Sequence, residues 1–387
     1  MRIVKVRALR FALITGFLFS LHIALVSYAN STFAANLFGE DAVGPLFSIA
    51  AFISLLALLF WAPKKIARNG SLLFVALLML VSIFTLTGLT QATFSIVSAL
   101  FFIIYLSSNT IIFYGLDMMV EHATKNSDTG KIRGIYLTVL SLAWMLALLG
   151  TGAIIERGGF NLLYFVGAVL VFFSLLAVYK GGASLNTRQI GKVQTMTAIK
   201  QVLQDKNLSA IYLVNFMLQV FYVVMVIFTP LYLTTVIGFS WKEVGMIFFI
   251  MLSPFVFLQY PLGRIADKRF GEKEIMIFGL LILGLATLMI FNMESSSIWI
   301  WATVLFATRV GAATVEVMSE SYFFKHVNEN DTGLIGIYRA LAPLAYVIVP
   351  MLASWVISNY NYGILYSALG ILCLMTIIPA SRIKDTR

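Results

Sequence analysis

SLLFVALLMLVSIFTLTGL, Ser71 to Leu89, runs nineteen residues without a charge or a proline. Coiled as an α-helix it is about 28 Å long, close to the thickness of a bilayer's hydrocarbon core. Water would have to solvate that whole surface at great cost. Lipid offers no hydrogen bonds, so a run lying in it must satisfy its own backbone as a helix or inside a closed barrel. The pattern is continuously apolar rather than alternating, which selects the helix.

Other runs of the same kind lie on both sides. Counting about 20 apolar residues per span, the chain divides into helices near 11 to 37, 43 to 62, 71 to 89, 93 to 120, 133 to 155 and 160 to 180. A second six fall near 208 to 236, 243 to 262, 275 to 293, 297 to 324, 334 to 358 and 362 to 380. The first run is too long for the core of a signal peptide and is read as a span. The expected fold is an all-α membrane protein of about twelve spans, with 1–180 and 207–387 as two six-helix bundles and 181–206 as the polar linker between them. Composition agrees: 60% of the 387 residues are apolar and 11% charged, against roughly 25% charged in a soluble domain.

The net charge of +10 does not point to nucleic acid, because the basic residues sit in short clusters between apolar runs. They follow membrane topology instead. With the N-terminus cytoplasmic, every Lys and Arg outside the spans except Arg157 and Lys242 falls on the cytoplasmic face. Both termini are therefore expected in the cytoplasm, in a bacterial inner membrane. The lone Cys373, inside the last span, supports neither a disulfide framework nor a metal site. With only His22, His122 and His326, no clustered nucleophile, no HExxH and no phosphate-binding glycine loop, a membrane enzyme is not expected, and neither a metal site nor a bound cofactor is indicated.

The two halves echo each other. SDTGKIRGIY from Ser127 precedes the fifth span, and NDTGLIGIY from Asn330 precedes the eleventh. Asp117 stands as far before Asp128 as Glu320 does before Asp331, and AVG at Ala42 matches EVG at Glu243. Six-span parallel repeats characterise transporters built from two similarly oriented bundles related by a pseudo-two-fold axis along the membrane normal.

GRIADKRFGEK, Gly263 to Lys273, lies in the loop between the eighth and ninth spans. Gly263, Ile265, Ala266, Asp267, Lys268, Gly271 and Lys273 resemble the loop signature of the major facilitator superfamily. Phe270 is an added residue, and Glu272 replaces a usual basic one. The matching loop of the first half, APKKIARNGS from Ala62, has lost the pattern, with Lys64 where Gly belongs and Arg68 where Asp belongs. The resemblance implies alternating access by a secondary transporter, a cytoplasmic gate at this loop and a central path lined by spans one, four, seven and ten. Gly263, Arg264, Asp267 and Arg269 are then gate candidates, together with Asp117 and Glu320. The glycine- and proline-rich signature of the family's drug antiporters is absent from LSLAWMLALLGTGAIIERGG, where Gly150 and Gly152 remain without a proline.

A charge inside a span is expensive and marks a cavity or a partner. Span ten, TRVGAATVEVMSESYFF, carries Arg309, Glu316 and Glu320, and a separation of seven places Arg309 and Glu316 on one helix face. Arg309 is read as the contact for an anionic or polar substrate group, and Glu316 as a substrate contact or proton carrier. The competing reading is a brace between helices. His22 titrates near neutrality and is the second proton candidate. Tyr28, Asn30, Tyr105, Asn109, Asn215, Gln219 and Tyr222 are further pocket candidates. Pro230, Pro254, Pro343 and Pro350 are candidate bending points.

The functional expectation is proton-coupled movement of a small polar or anionic solute by a monomer in the lipid bilayer. Efflux of amphipathic compounds and a non-transporting sensor or chaperone on the same fold are the alternatives.

Overall fold

The structure, a computed structural model, describes residues 2–61, 71–123, 129–181, 195–266, 271–291, 293–327 and 332–384. Within them the side chains of Asp117 and Arg264 are not described. Asp128 and Asp331 of the repeated stretches and the loop residues Asp267 and Arg269 also lie outside the described residues. The chain forms two compact units, Met1–Ile190 with Ser240–Gly245, and Gly191–Phe239 with Met246–Arg387.

In the first unit α1 (Arg2–Ser27) and α2 (Asn30–Phe38) are one apolar span bent by 42°. The sequence offers no glycine or proline at the bend, and a continuous helix is the expectation; a contact across helices explains the difference. Ala29 N–H turns back to Val26 O at 3.0 Å, and Thr151 Oγ1 donates to Leu25 O at 2.7 Å. The carbonyl that a straight helix would have used within itself is thereby satisfied from outside.

α3 (Glu40–Leu56) widens into a π-helical turn over Ala57–Trp61; α4 (Ser71–Leu89) and α5 (Ile96–Ala123) follow. α6 (Thr129–Gly181) holds two spans in one helical run, separated where Gly158 (φ −152°) and Gly159 (φ 64°) leave helical geometry. Only glycine adopts that second conformation readily. α1 packs chiefly along α6, and α4 lies against α5 and α6. In the added segment of this unit, Lys242 N–H donates to Glu156 Oε1 at 3.2 Å. A Cβ on Gly152 would stand 2.4 Å from Trp241 O, so the absent side chain permits that approach.

The second unit opens with α7 (Thr195–Gln204), a ten-residue helix inside the stretch expected to be a polar linker. Its Ala198 and Val202, one turn apart, are the positions turned inward. α8 (Lys206–Leu231) starts at an Asp205 cap that accepts from Asn207 N–H and Leu208 N–H, and ends in a π-helical turn over Tyr232–Val236 after Pro230. α9 (Trp241–Phe257), which belongs to this unit from Met246 on, breaks four residues beyond Pro254 and continues as α10 (Gln259–Ile265). α11 (Glu272–Leu288), α12 (Ile298–His326) and α13 (Thr332–Asn359) follow, and α13 passes through Pro343 and Pro350 without a break. α14 (Tyr362–Met375) and α15 (Ile377–Arg382) finish the described chain.

Among the described residues nine helices are long and apolar enough to cross a bilayer, and the bent α1–α2 pair makes ten. α6 contains two spans, and α11, with 17 residues, is about 26 Å long, close to the thickness of a hydrocarbon core. Twelve spans result, six on each side of the stretch between α6 and α7. Large apolar side chains such as Phe60, Leu73 and Phe84 in the first unit and Phe257, Leu352 and Trp355 in the second are more than half exposed. Water would penalise such surfaces, and lipid accepts them.

Candidate functional site

Arg309 sits on α12 eleven residues beyond its first residue, Ile298. That is about 16 Å along the axis, half the thickness of a hydrocarbon core. The residue is 1% exposed. Its guanidinium carbon lies 5.2 Å from the centre of the Phe221 ring and 5.5 Å from that of Tyr222, both on α8. Two aromatic faces at this range stabilise a desolvated cation.

The same Tyr222 reaches further along α12. Its hydroxyl donates to Glu316 Oε2 at 2.9 Å, so one side chain touches both charges picked out by their seven-residue spacing. Tyr222 and Glu316 are half-buried while Arg309 is enclosed. Asn215 and Gln219 continue the polar row along α8 at helical spacing: Gln219 Nε2 donates to Asn215 Oδ1 at 3.2 Å, and Asn215 Nδ2 donates to Tyr338 O on α13 at 3.3 Å. Tyr338 Oη donates to Ser319 Oγ at 3.4 Å, and Ser319 Oγ donates to Glu316 O at 3.1 Å. Glu320, one turn from Glu316, is exposed. The second unit thus gathers Arg309, Glu316, Tyr222, Gln219 and Asn215 between α8, α12 and α13.

The first unit gathers its candidates differently. His22 is fully buried, with its Nε2 2.8 Å from Tyr105 Oη and its ring 5.4 Å from that of Phe19. A Cβ on Gly167 would meet its Cδ2 at 3.4 Å. Tyr164 Oη donates to Asn30 Oδ1 at 3.0 Å, and the rings of Tyr105 and Tyr164 meet edge to face at 6.5 Å. His22, Tyr105 and Asn30 are therefore joined through Tyr164, a residue that sequence reasoning missed. Nothing in the sequence distinguishes it among sixteen tyrosines. The Tyr28 ring lies 6.4 Å from that of Trp144, and Asn109 hydrogen-bonds Tyr105 and accepts from Ser82 Oγ at 3.4 Å.

At the Gly263 to Lys273 loop motif, Gly263 has room beside it, since an added Cβ would come no nearer than 3.8 Å to Val317. Glu272, read from the sequence as a departure from the pattern, is buried completely. It is the first residue of α11, behind Gly271 at φ 77°. Its Oε1 is ion-paired with Lys325 and accepts from Ser321 Oγ at 3.0 Å. Ser321 and Lys325 are one turn apart on α12, and that i, i+4 pair was the available signal.

Two units of six spans, an arginine buried at mid-span and the loop motif are all on the same chain, and the model of the Major Facilitator Superfamily matches residues 12–268 and again 241–386. The chain belongs to the major facilitator superfamily. No curated protein matches it in sequence. Among solved structures it is similar to a bacterial homologue of the human lysosomal transporter Spinster in an inward-facing, unoccupied conformation, at 12% identity and TM-score 0.72, covering 98% of this chain and 93% of that one. It is equally similar to a mutant form of the nucleoside transporter NupG (12% identity, TM-score 0.72, 97% and 98% covered). The xylose transporter XylE from E. coli, partially occluded and inward open, gives 14% identity and TM-score 0.72 over 99% and 98%. At such identities the likeness speaks for the superfamily fold, a transporter fold, and not for a substrate.

Proposed function

We propose that this chain is a secondary transporter that moves a small polar or anionic solute by alternating access, with Arg309 as the substrate's charged contact and Glu316 as the proton carrier. The observation that carries the reading is Tyr222, which lies over the Arg309 guanidinium and hydrogen-bonds Glu316 at 2.9 Å. A proton arriving on Glu316 changes what the Tyr222 hydroxyl bonds to, and the ring covering Arg309 feels that change. Asn215 and Gln219 supply amide groups for the polar remainder of the solute. His22, enclosed by aromatic rings, is the second proton candidate. Tyr28, Asn30, Tyr105 and Asn109 then serve the first bundle.

In this reading 1–180 and 207–387 are the moving bundles, both termini are cytoplasmic, and Gly263, Arg264, Asp267, Arg269, Asp117 and Glu320 form the gate. The test uses purified protein in proteoliposomes, with candidate solutes screened with and without a pH gradient. For the solute found, Glu316→Gln should abolish uptake driven by the gradient and leave exchange of solute for solute. Wild-type rates in both assays remove Glu316 from the mechanism. Arg309→Lys keeps the charge and loses the planar fork, so apparent affinity should fall at normal folded yield. A brace instead predicts loss of yield, rescued by removing the partner carboxylate.

A further inference from the structure

The surface of α7 has three sides. Ala198 and Val202 face the body of the unit, where α7 packs on α13 and α8. Thr197, Lys200, Gln201 and Gln204 are polar and exposed. Between these sides lie Ile199 and Leu203, one turn apart and 39% and 76% exposed. At ten residues the helix is about 15 Å long, too short to cross a bilayer.

Nor is it a loose tether. Ser209 Oγ donates to Val202 O at 2.5 Å, and Asp205 caps α8 through the amides of Asn207 and Leu208 at 2.8 and 3.1 Å, so the corner from α7 into α8 is stitched. Lys384 N–H donates to Asn207 Oδ1 at 3.0 Å, which brings the end of the described chain to the same corner. Lys200, Lys206, Arg382 and Lys384 are all exposed there, and Lys325 is partly so. The exposed carboxylates of this end, among the described residues, are Asp205, spent on its cap, with Glu274 and Glu320. α8 and α13, which carry α7, expose Leu213, Leu344 and Ile348, the kind of surface that lipid covers.

We propose that α7 is a membrane-surface helix that seats Ile199 and Leu203 among the headgroups of a bilayer leaflet containing anionic lipid. The apolar pair enters the boundary between headgroups and acyl chains. Lys200 and Lys206 stay at the level of the phosphates, as amphipathic helices with a basic polar face do. The cations at this end supply the attraction, and the continuity of α7 with lipid-covered helices supplies the geometry. Such seating is independent of which solute is moved.

The test places a nitroxide spin label on a cysteine replacing Leu203, and separately Gln201, in the full chain. The protein is reconstituted in nanodiscs of phosphatidylcholine with or without phosphatidylglycerol. Cys373 is buried and stays unlabelled while the fold is intact. With anionic lipid, the ratio of oxygen to nickel-complex accessibility at 203 should be about threefold or more above that at 201, as expected for a label at the acyl boundary. Lys200→Glu combined with Lys206→Glu, or high salt, should lower it. Equal nickel accessibility at 203 and 201 in anionic nanodiscs overturns the proposal. So does a label at 203 shielded from both reagents in a concentration-dependent way, which assigns the face to a second copy of the chain.

Discussion

Glu272 and Lys325 form an unequal pair, and the inequality sets the order in which their removal hurts. The Glu272 side chain is 0% exposed and that of Lys325 is 41%. Lys325→Met leaves the carboxylate buried beside the Ser321 hydroxyl and the first turn of α11, stripped of this counter-charge. Breaking a buried pair in that way costs about 3–5 kcal/mol. Glu272→Gln keeps a hydrogen-bonding side chain against Ser321 and releases an ammonium group that already reaches water, at a cost of about 1–2 kcal/mol. For a unit of this size each kcal/mol moves the melting temperature by roughly 2–4 °C, so Lys325→Met should lower it by roughly 6–20 °C and Glu272→Gln by roughly 2–8 °C. The double variant should melt above Lys325→Met alone, because it leaves no stranded charge. Cys373, the chain's single cysteine and fully buried, reports unfolding directly through a thiol-reactive dye that fluoresces on conjugation. Equal shifts, the opposite order, or a double variant as unstable as the lysine variant would refute the reasoning.

Three further outcomes test other parts of the structure. Thr151→Val strands the Leu25 carbonyl at the bend of the first span and should cost about 1–3 kcal/mol, whereas Thr151→Ser should melt like the wild type in the same dye assay. Gly152→Ala sets a methyl 2.4 Å from the Trp241 carbonyl oxygen, backbone that no rotamer change relieves; a cysteine at Ser240 should then label faster, and an unchanged rate removes that contact from the packing. Cysteines at Asp41 and Glu294 should react with impermeant reagents from outside cells, and labelling of either from inside would overturn the proposed orientation.

The spans were readable because lipid leaves the backbone no choice: a charge-free run such as Ser71–Leu89 can only be a helix. The row Asn215, Gln219, Tyr222 and the pair Arg309, Glu316 were readable as polar residues at helical spacing in apolar surroundings. What joins them was not. The Tyr222 to Glu316 bond links residues 94 apart in sequence, and no local pattern encodes which face of α8 meets α12. The bend after Ser27 was hidden for the same reason, since its cause is a hydroxyl 126 residues away. The pairing of Glu272 was hidden likewise, because its partners lie on another helix, 49 and 53 residues on. α7 escaped because ten residues of mixed character look polar until their two apolar pairs are laid on a helix.

The corner at Gly158 and Gly159 joins two spans within one helical run. A protease needs several residues of extended chain to grip, an antibody needs a protruding epitope, and an inserted tag needs slack on both sides. With only Gly158 and Gly159 outside helical geometry, this corner provides neither the extended chain nor the slack. Any insertion between Glu156 and Phe160 would force apart two spans that Gly158 and Gly159 join within one helical run.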